Sequence, residues 1–139
     1  MILLDTNVIS ELSKPQPDPR VTAWLNEHEA QGMLTSALTV AELRTGLAAM
    51  PEGKRKTALV GLINELLNRF GRSPVAFDGL AADDYAAIVT ARKKSGRPIL
   101  VMDALIAAVA VSHGLTLATR DVADFSDIEG LKLIDPWEA

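Results

Sequence analysis

Four acidic side chains, Asp5, Glu42, Asp103 and Asp121, stand where surface solvation alone gives no reason for an acid. Asp5 closes the apolar run Ile2-Leu3-Leu4 and precedes two small polar residues, Thr6 and Asn7. Such a run reads as a strand buried on both faces that delivers a carboxylate to its C-terminal tip, where open parallel α/β sheets bind ligands. Asp103 is the only polar residue between Ile99 and Val111, so a helix there carries it close to the core. An unpartnered buried carboxyl is rarely tolerated. Glu42 is the sole ionisable residue from Ser36 to Leu43, and Asp121 follows a further short apolar segment in Thr119-Arg120-Asp121. Taken alone, each has an ordinary explanation: a helix cap for Asp5, a first-turn dipole partner for Asp103, an ion pair with Arg44 for Glu42, a turn with Asp124 for Asp121. Gathered at one sheet edge they would repel one another, and a hard divalent cation relieves that repulsion. Oxygen ligands without a cysteine or a histidine cluster select Mg²⁺ or Mn²⁺ over zinc. His28, on an apolar helical face, and His113, in a helix's last turn, are explained by packing and the helix dipole.

The elements that must position these acids follow from periodicity and punctuation. After Asp5, a short helix through Val8, Ile9 and Leu12 is broken by Pro15, Pro17 and Pro19. Asp18-Pro19 starts a second helix with an apolar face of Val21, Trp24, Leu25 and His28, closed by Gly32. Met33-Leu34-Thr35 reads as a strand, and Ser36 caps a helix from Ala37 to Ala49 that carries Glu42 and ends before Pro51. Leu59, Leu62, Ile63, Leu66, Leu67 and Phe70 form the most regular helical stripe, wider than an internal core needs, with Gly71 as its stop. Val75-Ala76-Phe77 reads as a strand, Asp78 as the cap of a helix from Leu80 to Lys94, and Ser95-Gly96-Arg97-Pro98 as a turn. A buried helix then runs to His113, Leu115 to Ala118 is a strand, Thr119 to Phe125 a loop, and Leu131 to Ile134 a last strand. Strands alternating with helices imply a parallel sheet with right-handed crossovers.

Bulk properties narrow the options. A chain of 139 residues with 48% hydrophobic and 4% aromatic content suits one domain, residues 1–139, of helices on a small sheet. The absence of cysteine rules out disulfides and thiolate chemistry and fits a reducing cytoplasm. The apolar start ends at Asp5 with no basic region before it, unlike a signal peptide, and Pro98 to Val111 is too short for a membrane span. A net charge of -4 argues against gripping duplex nucleic acid by phosphate neutralisation alone. A bound cation would still draw a phosphodiester to the acids.

The segments Ile2-Leu3-Leu4-Asp5-Thr6-Asn7, Leu38 to Gly46, Met102 to Ala108 and Ala118 to Phe125, in that order, resemble the PIN-domain ribonucleases, in particular the VapC-type toxins of toxin–antitoxin pairs. The resemblance implies an α/β, PIN-like three-layer sandwich with a central parallel sheet of four to five strands flanked by helices. It implies that Asp5, Glu42, Asp103 and Asp121 are the acidic site residues, with Asp124 a substitute for the fourth, and that Asn7 and Thr119 are polar supports. It further implies Mg²⁺-dependent RNA cleavage, a homodimer, and a cognate antitoxin that lays a helix and tail across the toxin and alone links it to promoter DNA.

On this reading Asp5, Asp103 and Asp121 hold the metal, Glu42 ligates or orients the attacking water, and Thr6, Asn7 and Thr119 fix the carboxylates by hydrogen bonds. Arg120, beside Asp121, is the best candidate for a phosphate contact. Arg20, Arg44, the run Lys54-Arg55-Lys56 and the run Arg92-Lys93-Lys94 with Arg97 are further candidates whose simpler reading is a solvated surface. Two rival functions stand beside this one. A receiver-type phosphoacceptor domain would want adjacent acids after the first strand, which the chain lacks. A non-catalytic PIN-fold partner acting through antitoxin and DNA binding would keep every motif.

Overall fold

The computed structural model describes residues Met1–Ala139. Its centre is a four-stranded, wholly parallel sheet in the order β2-β1-β3-β4, made of β1 (Ile2–Leu4), β2 (Met33–Thr35), β3 (Thr116–Ala118) and β4 (Lys132–Ile134). Strand β1 is central, and Ile2, Leu3 and Leu4 are all buried, as an uninterrupted apolar strand requires when helices cover both faces.

Alternation along β1 divides the core. Ile2 and Leu4 pack on one side with Val8, Trp24, Leu43, Ile63 and Phe70, drawn from α1 (Thr6–Leu12), α2 (Pro19–His28), α3 (Ala37–Ala49) and α4 (Lys54–Phe70). Leu3 points the other way, with Leu117, onto α5 (Gly79–Lys94) and α6 (Val101–Ser112). The result is the three-layer sandwich that the resemblance implied, with the parallel sheet that the alternation of strands and helices called for. Helix α6 buries Ala104 and the continuous run Ile106 to Ala110, and its small alanines let it lie close against sheet and α5.

The caps follow the local chemistry. Asp18, Ser36 and Asp78 each accept a hydrogen bond from a first-turn N–H of the helix that follows. Gly71 ends α4 with φ of -120°, so it is not there for a left-handed turn. A Cβ at this position would stand 3.0 Å from the Leu67 side chain and 3.5 Å from Thr35, so a larger residue would crowd both.

Two expectations need correction. Val75 to Phe77 is not a strand. Val75 makes a single parallel bridge to Ser36, donating to Thr35 and accepting from Ala37, and α3 begins there and carries the partner chain away. The Arg92-Lys93-Lys94 run is not a uniformly solvated face either. Arg92 is buried, and its guanidinium donates to the carbonyls of Asp124, Ser126 and Arg97, tying the α5–α6 turn to the β3–β4 loop.

Candidate active site

The parallel register builds the floor of the site. Leu4 pairs with Ala118, so the next residue of each strand, Asp5 and Thr119, emerge side by side at the C-terminal edge of the sheet. The Thr119 hydroxyl donates to Asp5 Oδ2 at 2.8 Å, and the Thr6 N–H donates to Asp5 Oδ1 at 2.8 Å. Asp5 is therefore both the N-cap of α1 and a buried carboxyl at a strand tip. Burial, reinforced by the nearby Asp103 and Glu42 charges, outweighs these two bonds and raises the Asp5 pKa from 3.8 to about 6.

The other acids arrive from separate elements. Glu42, on α3, accepts from the Thr6 hydroxyl at 2.7 Å, and Thr6 also meets the Thr39 hydroxyl at 3.1 Å. Asp121, in the loop after β3, accepts from Asn7 Nδ2 at 3.1 Å and donates its own N–H to the Thr119 hydroxyl at 3.0 Å. Asn7 Nδ2 also lies 3.3 Å from Thr119 Oγ1. Thr6, Asn7 and Thr119 thus each hold one of the carboxylates. Asp103 falls in the first turn of α6 and is half-buried at the rim, not drawn into the core as its apolar surroundings suggested, because α6 starts only two residues earlier. Burial first, then the charges of Asp124, Asp121 and Glu42, push its carboxyl above the usual range.

Asp5, Glu42, Asp103 and Asp121 line one cavity of about 430 Å³ with Thr6, Asn7 and Arg120. Thr119 lies behind its wall, fully buried. Asp124 is outside this cavity and borders a neighbouring one beside Asp103. The acids surround a shared space; no three acidic side chains close on a single point as a ready-made cage. Glu42 and Asp121 are tethered by Thr6 and Asn7. The donor set is all oxygen, and its most buried member is pushed toward protonation first by burial and then by the Asp103 and Glu42 charges, which a bound cation would offset, so it fits a hard divalent cation.

Of the basic candidates, only Arg120 borders the cavity. Arg20 pairs with Asp18, Arg44 with the Asn64 amide, Lys56 with Glu52, and Arg97 with Asp127. Four further cavity residues, Ser10, Glu11, Lys14 and Trp137, escaped the sequence reading. Glu11 is buried although it lies on a short helix between prolines and Asn7; its one signal was an acid next to Leu12 on the apolar side of α1. Burial pushes Glu11 up, but hydrogen bonds from Lys14 and the Asp18 N–H more than offset this and hold it below the usual range. Trp137, near the end of the chain, had no periodic pattern to place it.

An acid-lined cavity at the C-terminal edge of a small parallel sheet, between two helical layers, puts the candidate site of this α/β domain where open parallel sheets bind ligands. The PIN-domain model matches residues 2–131, and the chain belongs to the PIN-domain family. Within that family it is similar to VapC-type toxins. It is 48% identical over 139 residues to the VapC ribonuclease Y4jK of Sinorhizobium fredii, covering 99% of each chain. It is 43% identical over 138 residues to Toxin FitB of Neisseria gonorrhoeae, again covering 99% of each. The crystal structure of FitAcB from Neisseria gonorrhoeae superposes with a TM-score of 0.90 at 42% identity and complete coverage of both chains. Membership in this group supports a nuclease.

Proposed function

We propose that residues 1–139 form a single PIN domain that acts as the endoribonuclease toxin of a type II toxin–antitoxin pair, hydrolysing RNA phosphodiester bonds with Mg²⁺ at the Asp5, Glu42, Asp103 and Asp121 cavity. The observation that carries this reading is the meeting of four carboxylates from two strand ends and two helices in one cavity, with Asp5 pushed to about 6. Relatives named as a VapC ribonuclease and as a tRNA(fMet)-specific endonuclease support RNA as the substrate class.

Asp5, Asp103 and Asp121 would hold the cation; Mn²⁺ would serve as well, since the ligands are the same hard oxygens. When bound, the cation supplies Lewis acidity to a phosphodiester and raises the acidity of a neighbouring water. Glu42 is the group with room to accept that water's proton, because one oxygen is engaged by Thr6 and the other is not hydrogen-bonded. The Thr119 and Thr6 hydroxyls fix the Asp5 and Glu42 carboxylates in place, so little reorganisation is needed as charge develops. Arg120 is placed to meet a phosphate beside them.

The antitoxin has a surface to occupy. A second groove of about 310 Å³ between α1, α3 and α4 shares Thr6, Ser10 and Glu42 with the acid cavity and is floored by Leu43, Leu47, Leu59 and Ile63. An apolar antitoxin helix in this groove would lead its tail directly to the acids, and FitAB and VapBC complexes bound to DNA fragments support DNA contact through the antitoxin. Exposed Leu100 and Val101, next to Asp103, offer apolar surface to a second copy in a homodimer. No helix is long and apolar enough to cross a membrane, in keeping with a cytoplasmic role.

The test is cleavage of RNA by the purified protein in Mg²⁺, by the same protein in chelator, and by Asp103→Asn. Chelation abolishes cleavage, and the substitution lowers it by roughly a hundredfold or more while the fold persists. Undiminished cleavage in chelator would refute the mechanism. Antitoxin binding without any cleavage would favour the alternative, a non-catalytic partner acting through antitoxin and DNA. Hydrogen exchange with the antitoxin added should protect α1, α3 and α4; protection confined to β4 would refute the groove.

A further inference from the structure

RNA is a polyanion, and the cavity that would cut it is lined by acids. Cations near the site are scarce. None of Arg92, Arg97 and Arg20 borders the cavity. Two remain on the cavity wall, Arg120 and Lys14, and both are pre-positioned.

The Arg120 guanidinium lies over the Trp137 ring, 5.2 Å from its centroid, and takes part in no ion pair, so its N–H donors are free. Its main chain is also held, the N–H donating to Asn7 Oδ1 at 3.4 Å. Trp137 is itself buried, and its backbone N–H donates to Asp135 Oδ1 at 2.9 Å. Lys14 donates to Glu11 Oε1 at 3.0 Å, with 58% of the lysine side chain exposed against 7% of the glutamate's. The pair therefore presents its positive end to solvent and keeps its negative end inside, with the second Glu11 oxygen fixed by the Asp18 N–H at 3.3 Å.

We propose that Arg120 stacked on Trp137 and Lys14 anchored by Glu11 form a two-cation grip for the RNA backbone, so that the strand enters over α1 and the Trp137 segment and not over the α6 side. Arg120 and Lys14 contact phosphate; Trp137 and Glu11 are positioning residues that act through them. This deepens the ribonuclease reading and rests on it for the identity of the ligand. A planar guanidinium stacked on an aromatic loses little freedom on binding a phosphate, which an untethered lysine would not match. Trp137 has its face covered by Arg120 and so is not a platform for bases.

The grip is tested with a short fluorescein-labelled single-stranded RNA, in turnover and, separately, by anisotropy on the Asp5→Asn background, where binding is read without cleavage. Lys14→Gln and Arg120→Gln each raise KM and the anisotropy Kd roughly fivefold, with kcat within about twofold, and each lowers the slope of log Kd against log salt by about 0.7. Arg120→Lys keeps the charge and the salt slope yet weakens binding about twofold, because the stack is lost. Trp137→Leu behaves as Arg120→Lys does; should it fail to fold, Arg120→Lys alone decides the positioning role. Unchanged Kd and salt slope in both glutamine variants, or a fall in kcat at constant KM, overturns the grip while cleavage by the wild-type protein leaves the ribonuclease reading intact. Wild-type protein that neither cleaves nor binds this RNA in Mg²⁺ overturns both.

Discussion

Replacing Asp5 with asparagine should make the metal-free protein more stable near neutral pH while removing its activity. The Asp5 pKa rises from 3.8 to about 6 on folding, chiefly through burial and then the Asp103 and Glu42 charges. At about 1.4 kcal/mol per pH unit this places a penalty of about 3 kcal/mol on the folded state once Asp5 is ionised. The sign follows from proton binding. Between pH 3.8 and about 6 the unfolded chain has released a proton that the folded chain still holds, so stability falls as pH rises and stays lowered above this window. Asp5→Asn removes the penalty. It keeps an oxygen for the Thr6 N–H but exchanges a charge-assisted bond from Thr119 for a neutral one, so the net gain is about 1–2 kcal/mol. For a domain of this size that is about 3–8 °C in Tm. Urea unfolding of both proteins in chelator, from pH 4 to pH 7.5, should show the gap opening as pH rises and nearly closed at pH 4. Mg²⁺ at a hundredfold over its Kd then stabilises the wild type by about 2.7 kcal/mol and the variant far less, reversing the order. A gap that does not change with pH, or equal stabilisation of both proteins by Mg²⁺, would refute the electrostatic account of the cavity.

Three other outcomes are expected. Thr119→Val removes a hydroxyl that donates to Asp5 and accepts from the Asp121 N–H; the acid limb of kcat/KM against pH should move up by roughly one unit, with activity at neutral pH down about tenfold. Arg92→Met leaves three carbonyls without their buried donor; unfolding should show a loss of about 2–3 kcal/mol, and hydrogen exchange should quicken in the β3–β4 loop that carries Asp121. Gly46→Leu adds a side chain where a Cβ meets nothing within 4 Å, filling the groove beside α3; antitoxin affinity measured by calorimetry should fall at least about tenfold with RNA cleavage little changed.

The parts of this protein that sequence disclosed are those in which a single residue broke a pattern. An acid ending a buried strand or standing alone in an apolar helix is costly, so Asp5, Glu42, Asp103 and Asp121 drew notice, and Ser36 and Asp78 announced their helices by capping them. Residues whose roles depend on partners distant in sequence were hidden. Arg92 resembles its lysine neighbours until three carbonyls from two other segments close around it. Trp137 and Lys14 acquire meaning only when the 120s loop and the end of α1 meet. Val75 has a strand's composition and one strand-like bridge, but its partner chain turns into a helix, and no local propensity reveals that. Asp103 was misjudged by depth alone: the apolar run around it is buried, and the start of the helix is not.

The bond between Thr119 and Asp5 spans 114 positions. The floor of the cavity therefore cannot exist on a nascent chain until β3 has been made, since β1 waits for β3 as its neighbour. For an enzyme whose proposed substrate is RNA, a chain that stops short of β3 therefore has no assembled site with which to act.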